Sequence, residues 1–223
     1  MLKLSFFKIL LKRVLLLFLN ATTIGWKTST DGIERFYMYR GFEKRKHLLK
    51  GKLLNISGHG HLFLKPYLDY SFDEFIDTSF PEVDATNLPY ENNEFDVVVA
   101  DQVLEHVCDN PQKVFSESYR VLKKGGIIIF TAPFMKILHG SENKGGFGLS
   151  DYWRFTPSAF RYLARNFSEI IEADGWGNKI AILLMFLDLE KIRIPFSKYH
   201  PIHWICTSKN DIWPIVTWII ARK

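Results

Sequence analysis

The sequence has only two cysteines, Cys108 and Cys206. They cannot frame a disulfide-stapled fold or supply a thiolate metal set, and their scarcity suits a reducing cytosol. The seven histidines lack ligand spacing as well. His59 and His61 lie two apart in a loop, and His200 and His203 have no acidic or Cys partner in a motif. No metal site is expected. There is no G-x-x-x-x-G-K-S/T phosphate loop, which argues against ATP hydrolysis. Repeats and low-complexity tracts are absent. Long apolar runs are missing too. The uncharged stretch from Val14 to Trp26 spans 13 residues and contains Asn, Thr and Gly, whereas a membrane-crossing helix needs about 20 apolar residues. The segment "NATTIGW" offers no good cleavage site for a signal peptide.

What is present is one domain's worth of chain, 223 residues that are 47% hydrophobic, enough for a sizeable core. Residues 1–30 read as a basic amphipathic segment and 31–223 as a single domain. Charge is unevenly placed. Residues 1–52 hold twelve Lys and Arg against three Asp and Glu, a net of +9, while the remainder nets −4. A basic head on a mildly acidic body suits an anionic partner or a plain solvated face. In "LKLSFFKILLKRVLLLFL", residues 2–19, Ser5, Lys8 and Lys12 share one helical stripe, with Leu and Phe filling the rest. Such a helix can lie in a membrane interface with its lysines at the headgroups, or it can pack on its own domain. Membrane-surface contact through residues 2–20 and peripheral residence at the cytoplasmic face are the expectations carried forward.

Beyond the head, apolar runs alternate with helical patterns. Strands are expected at Leu53–Ser57, Phe72–Asp77, Glu82–Asn87, Phe95–Asp101, Gly126–Thr131, Ser168–Ala173 and Ile212–Ala221. Helices are expected at Pro111–Val121, from Pro157 behind a Thr156 cap, and at Lys179–Leu189. Alternation of this kind implies βαβ units and a mostly parallel sheet.

Ligands of such sheets bind beyond the carboxyl ends of the strands. Four such ends carry suitable groups here: the loop "NISGHG", Asp77, the pair Asp84–Ala85, and Asp101. An acid 19 residues beyond Gly58 is where a ribose diol is gripped. Together these groups point to a cofactor with a ribose and an adenine-like ring.

The stretch "VDATNLPYENNEFDVVVADQVLEHVCDNPQKVFSESYRVLKKGGIIIFTAPF" resembles the core of class I S-adenosylmethionine-dependent methyltransferases of the small-molecule, type 11 kind. The resemblance rests on "DA", "LP", "FDVV", "LEHV" and "RVLKKGG" and extends from about Lys50 to Gly177. "DYWRFTP" is similar to a subfamily that modifies glycans and cell-envelope molecules. The family implies an α/β fold, a Rossmann-like sheet of seven strands, mostly parallel with the last antiparallel and helices on both faces. "IWPIVTWIIARK" would be that last strand. It implies S-adenosyl-L-methionine as cofactor, with Asn55, Ser57, Gly58 and Gly60 at its methionine end. Asp77 would take the ribose, Asp84 and Ala85 the adenine, and Asp101 and Gln102 the sulfonium side. The family's first loop reads acid-x-Gly-x-Gly-x-Gly, whereas here Asn55, Ser57 and His59 replace three of those positions.

Methyl transfer needs a base only where the acceptor must lose a proton. His139, after the strand at 126–131, and His106 of "LEH" are the catalytic candidates. Gly140–Ser150 could close as a lid, and Asp151, Tyr152, Trp153 and Arg154 are the substrate-binding candidates. Each has a plainer reading: His106 as a packing residue beside Glu105, and 151–154 as a structural corner with Trp153 buried. The function expected is methyl transfer to a small molecule, sugar, glycan or lipid-linked envelope acceptor. A non-catalytic binding protein on the same fold is the alternative, and RNA methylation is disfavoured, since the head is greasy rather than rich in Arg and aromatics.

Overall fold

The computed structural model describes residues 2–58, 72–138 and 150–223, with side chains described from Ile9 onward. The chain divides into two compact units, one of Met1–Gly41 with Trp176–Val216 and one of Phe42–Gly175 with Thr217–Lys223.

The second unit is built on a six-stranded sheet. Its strands are β2 (Gly51–Asn55), β3 (Phe72–Asp77), β4 (Phe95–Asp101), β5 (Leu122–Pro133), β6 (Glu169–Trp176) and β8 (Val216–Arg222), in the order β3-β2-β4-β5-β8-β6. Strands β3, β2, β4 and β5 run parallel. Strand β8 runs against its neighbours: Lys223 N donates to Gly126 O at 2.9 Å, and Ser168 N to Arg222 O at 2.8 Å. The sheet is therefore mostly parallel with one antiparallel strand, as expected.

Strand β4, "FDVVVAD", is buried on both faces because two layers cover it, which is why its apolar run is continuous. One face, including Leu54, Val98, Ile128, Phe130 and Ile219, meets helices α3 (Pro111–Val121) and α4 (Pro157–Leu163). Asn110 and Thr156 cap these helices, each followed by proline at the first helical position. Val114, Phe115, Ser118 and Val121 form the buried stripe of α3. On the opposite face, Phe42 at the end of helix α2 (Ile33–Lys44) meets Trp218 edge-on at 6.3 Å.

Two expectations need correction. Residues Glu82–Asn87 form turns rather than a strand. The Asp84 carboxylate accepts from both Thr86 N and Thr86 Oγ1 at 2.8 Å, and Asn87 N donates to Asp84 O at 2.9 Å. Bonds of this kind wrap the backbone round an Asx turn and compete with extension. The sheet accordingly has six strands among the described residues, not seven. Strand β5 also begins earlier than expected, running straight through "KKGG" from Leu122.

The first unit pairs the two ends of its discontinuous chain. It holds α1 (Leu2–Ala21), β1 (Thr28–Ser29), most of α2, α5 (Lys179–Phe186), β7 (Ile194–Pro195) and α6 (Pro201–Thr207). Strands β1 and β7 pair antiparallel. His200 Nε2 lies 3.0 Å from Thr22 O, and Arg193 N donates to Asn20 Oδ1 at 2.8 Å.

Candidate active site

Parallel register aligns the strand ends that carry polar groups. Asn55 pairs with Asp77, and Asp101 with Thr131. Hydrogen bonds run across these ends. Gln102 N donates to Thr131 Oγ1 at 3.1 Å, and Thr131 Oγ1 donates to Asp101 Oδ1 at 2.5 Å. Asp101 N donates to Ser57 Oγ at 2.7 Å, and that hydroxyl donates to Asn55 Oδ1 at 2.9 Å. Asn55 Nδ2 then donates to Asp77 Oδ1 at 2.5 Å. Four strands are thus cross-linked at one edge.

This network gives Asn55 and Ser57 their physical reason. A carboxylate at 55 would face the Asp77 carboxylate in register and repel it, whereas the buried Asn55 amide donates. The Ser57 hydroxyl fills a bridging position that glycine leaves empty. Glycine is required at 58, where φ is +57° and a Cβ would lie 2.6 Å from Ser79 Cβ. Gln102 also adopts a left-handed conformation, φ +59°, at the end of the central strand. For a residue with a side chain this stores strain of about 1–2 kcal/mol, and such strain gathers at binding sites.

A cleft of about 340 Å³ opens beside this edge. Of the sequence candidates, Ser57, Gly58, Asp84, Ala85, Gln102, His106 and Tyr152 line it. Asn55, Asp77 and Asp101 stand behind or beside that lining, joined to it through the hydrogen bonds above. Gly60 and His139, with the segment 140–149, lie outside the described residues. Sequence reasoning missed Ser79, Phe80, Val103 and Cys108, which also line the cleft. Ser79 and Phe80 follow Asp77 at a strand end, and that position was the available signal.

His106 sits in a short 3₁₀ turn, Leu104–His106, directly after β4. Its Nδ1 lies 2.9 Å from Ser150 O. A carbonyl only accepts, so Nδ1 is the donor in this contact. The buried Glu105 carboxylate lies 3.7 Å from Nε2.

Residues 151–154 form a corner. Arg154 clasps Asp151 in a two-pronged ion pair, one arm at 2.6 Å, and Asp151 raises the guanidinium pKa further. Trp153 Nε1 donates to Val107 O at 2.6 Å, and Tyr152 N to Glu105 O at 2.7 Å. Trp153 is 38% exposed, which corrects the expectation of a buried indole. The corner holds the turn that carries His106, and only Tyr152 of the four reaches the cleft lining.

A family profile described as a methyltransferase domain matches residues 66–130. Beyond that segment the likeness to solved structures is one of fold. The fold of the chain is similar to that of an S-adenosylmethionine-dependent methyltransferase from Mesorhizobium loti (13% identity, 87% of this chain and 100% of that one, TM-score 0.54). It is also similar to phosphoethanolamine N-methyltransferase 2 of Haemonchus contortus (18% identity, 84% and 52%, TM-score 0.53). The cyclase SpnF shares it too (20% identity, 83% and 81%, TM-score 0.51), so the fold by itself does not fix a substrate. No curated protein matches the sequence.

The donor set of the cleft suits S-adenosylmethionine. Ile56, Phe80, Val83 and Val107 supply apolar wall, and Ser57, Asp84 and Gln102 supply polar groups at its margins.

Proposed function

We propose that the protein is an S-adenosylmethionine-dependent methyltransferase that acts on a sugar, glycan or lipid-linked acceptor reached at the cytoplasmic face of a membrane. The observation that carries the cofactor half of this reading is the hydrogen-bonded row from Thr131 to Asp77 bordering an apolar cleft. Asp77, oriented by Asn55, would hold the ribose hydroxyls. Asp84 would accept from the adenine amine beside Ala85, using the carboxylate oxygen that Thr86 does not occupy. Ser57, Gly58, Asp101 and Gln102 would border the methionine end. S-adenosylmethionine, when bound, supplies a methyl group already activated on a sulfonium.

The chain's own work is alignment, exclusion of water and removal of one proton. His106, oriented by the contact of Nδ1 with Ser150 O, would in its neutral form take the proton of an acceptor hydroxyl or amine at Nε2. The neighbouring Glu105 carboxylate offers Coulomb attraction to the imidazolium that results. Tyr152, half exposed beside it, would present its ring and hydroxyl to the acceptor. The "DYWRFTP" resemblance and the basic, greasy head support the choice of acceptor class.

Calorimetry with S-adenosylmethionine and S-adenosylhomocysteine tests the cofactor half. Measurable heat with both is expected, and no heat at millimolar ligand would overturn it in favour of a non-catalytic binding protein. Transfer of a labelled methyl group to a panel of sugars, glycans and polyprenyl-linked glycans then tests the acceptor.

A further inference from the structure

Sixteen of the twenty-three large apolar side chains that stand exposed among the described residues belong to the first unit. That unit accounts for well under half of the chain, so the concentration is not an even scatter, and a patch of this kind marks an interaction surface. Two helices carry most of it. On α1, Leu10, Leu11, Val14, Leu17 and Phe18 fall within one arc of about 120° at 100° per residue, and all are roughly half exposed or more. On α5 and its C-cap, Ile180, Leu183, Phe186 and Leu187 fall within a similar arc, with Phe186 at 72%. The two helices meet: Lys12 reaches Asp188, two residues past the end of α5, at 3.6 Å. Asn178, the cap of α5, is tied to α6 through Ile205 O and Ser208 O. Exposed Tyr199 and Trp204 lie in the same unit. Rings with one polar end suit a boundary between hydrocarbon and water.

The charge of the unit decides what covers this surface. Its two segments hold twelve Lys and Arg against five Asp and Glu, a net of +7, whereas the rest of the chain nets −2. Two copies meeting through such units would bring like charges together. An anionic lipid surface complements them, taking the apolar side chains among its acyl chains while Lys and Arg reach its headgroups. No described helix is long and apolar enough to cross a membrane, so the contact lies in the plane of the interface.

We propose that the first unit is a membrane-docking module made from both chain segments, in which α5 and the 196–204 stretch insert alongside α1 into anionic bilayers. It extends the membrane contact of residues 2–20 and rests on that reading only for the kind of partner. The test is co-sedimentation of the full-length protein with phosphatidylcholine vesicles, with and without phosphatidylglycerol. The variants are L17E/F18E on α1 and L183E/F186E on α5, each checked by circular dichroism for retained fold. The wild-type protein is expected to sediment with the anionic vesicles and to be released by high salt. The α5 variant should bind at least roughly tenfold more weakly, although its head is untouched. Wild-type binding by an α5 variant would overturn the two-segment module and leave the head reading standing. No vesicle binding by the wild-type protein would overturn both. A wild-type dimer converted to monomer by either variant would show that a second copy covers the surface instead. Cofactor affinity measured on the same variants separates all of these outcomes from failure of the methyl-transfer reading.

Discussion

At the scale of single residues, the cleft edge makes distinct predictions. Asp77→Ala removes a carboxylate that Asn55 holds in place. A lost charged hydrogen bond costs about 1.5–3 kcal/mol, so calorimetry should show S-adenosylmethionine bound roughly ten- to a hundredfold more weakly. An unchanged dissociation constant would mean that the ribose is held elsewhere. Gln102→Gly works in two directions. Glycine relieves strain at φ +59° of about 1 kcal/mol, so denaturant unfolding should show stability kept or raised. The lost amide should weaken the cofactor at the same time. His106→Gln should lower turnover about a hundredfold with cofactor affinity nearly unchanged. A fully active His106→Gln protein would pass the role of base to His139 or leave none.

At the scale of elements, helix α3 holds the loop that follows Asp84 and Ala85. Arg120 donates to Leu88 O at 2.8 Å and Tyr90 O at 2.7 Å, and it pairs with Glu117, whose carboxylate accepts from Leu88 N at 2.9 Å. The arginine of "RVLKKGG" therefore fastens the segment just after Asp84 and Ala85. The Arg120 guanidinium, aided by Leu88 N–H, holds the Glu117 carboxyl below its ordinary 4.5. A depressed carboxyl adds stability that is complete above its unfolded-state value and is lost as pH falls through the folded-state value. Urea unfolding near neutral pH and at roughly pH 3.5 should thus show a smaller acid loss for Glu117→Gln than for the wild-type protein. Equal acid losses would mean that the pair does not couple to folding. Phe115, 1% exposed and edge-on to Phe130 at 5.1 Å, anchors the same helix to the sheet. Phe115→Ala should cost about 3–5 kcal/mol, read as a lowered urea midpoint.

At the scale of the whole molecule, every residue lining the cleft belongs to the second unit. Deleting residues 1–20 should therefore leave cofactor affinity within about twofold while reducing vesicle binding. The deletion also removes Asn20, which accepts from Arg193 N, and Lys12, which reaches Asp188. The first unit should melt earlier as a result, and hydrogen exchange in α5 and α6 should report it.

The sequence by itself determined the parallel core. The β-branched run at 95–101 and the Asn110–Pro111 and Thr156–Pro157 starts are local signals whose meaning does not depend on distant partners. It could not determine that Glu82–Asn87 turns back on itself, since an Asx turn and a short strand share the same apolar spacing. The departures in "NISGHG" likewise read as loss until Asp77 and Asp101 came beside Asn55 and Ser57 through register between strands far apart in the chain. Tertiary structure alone joined residues 1–41 to 176–216. The pairing of β1 with β7 and the bonds from Thr22 to His200 close over more than 150 residues, and contacts at that separation leave no periodicity in either segment for a sequence to display.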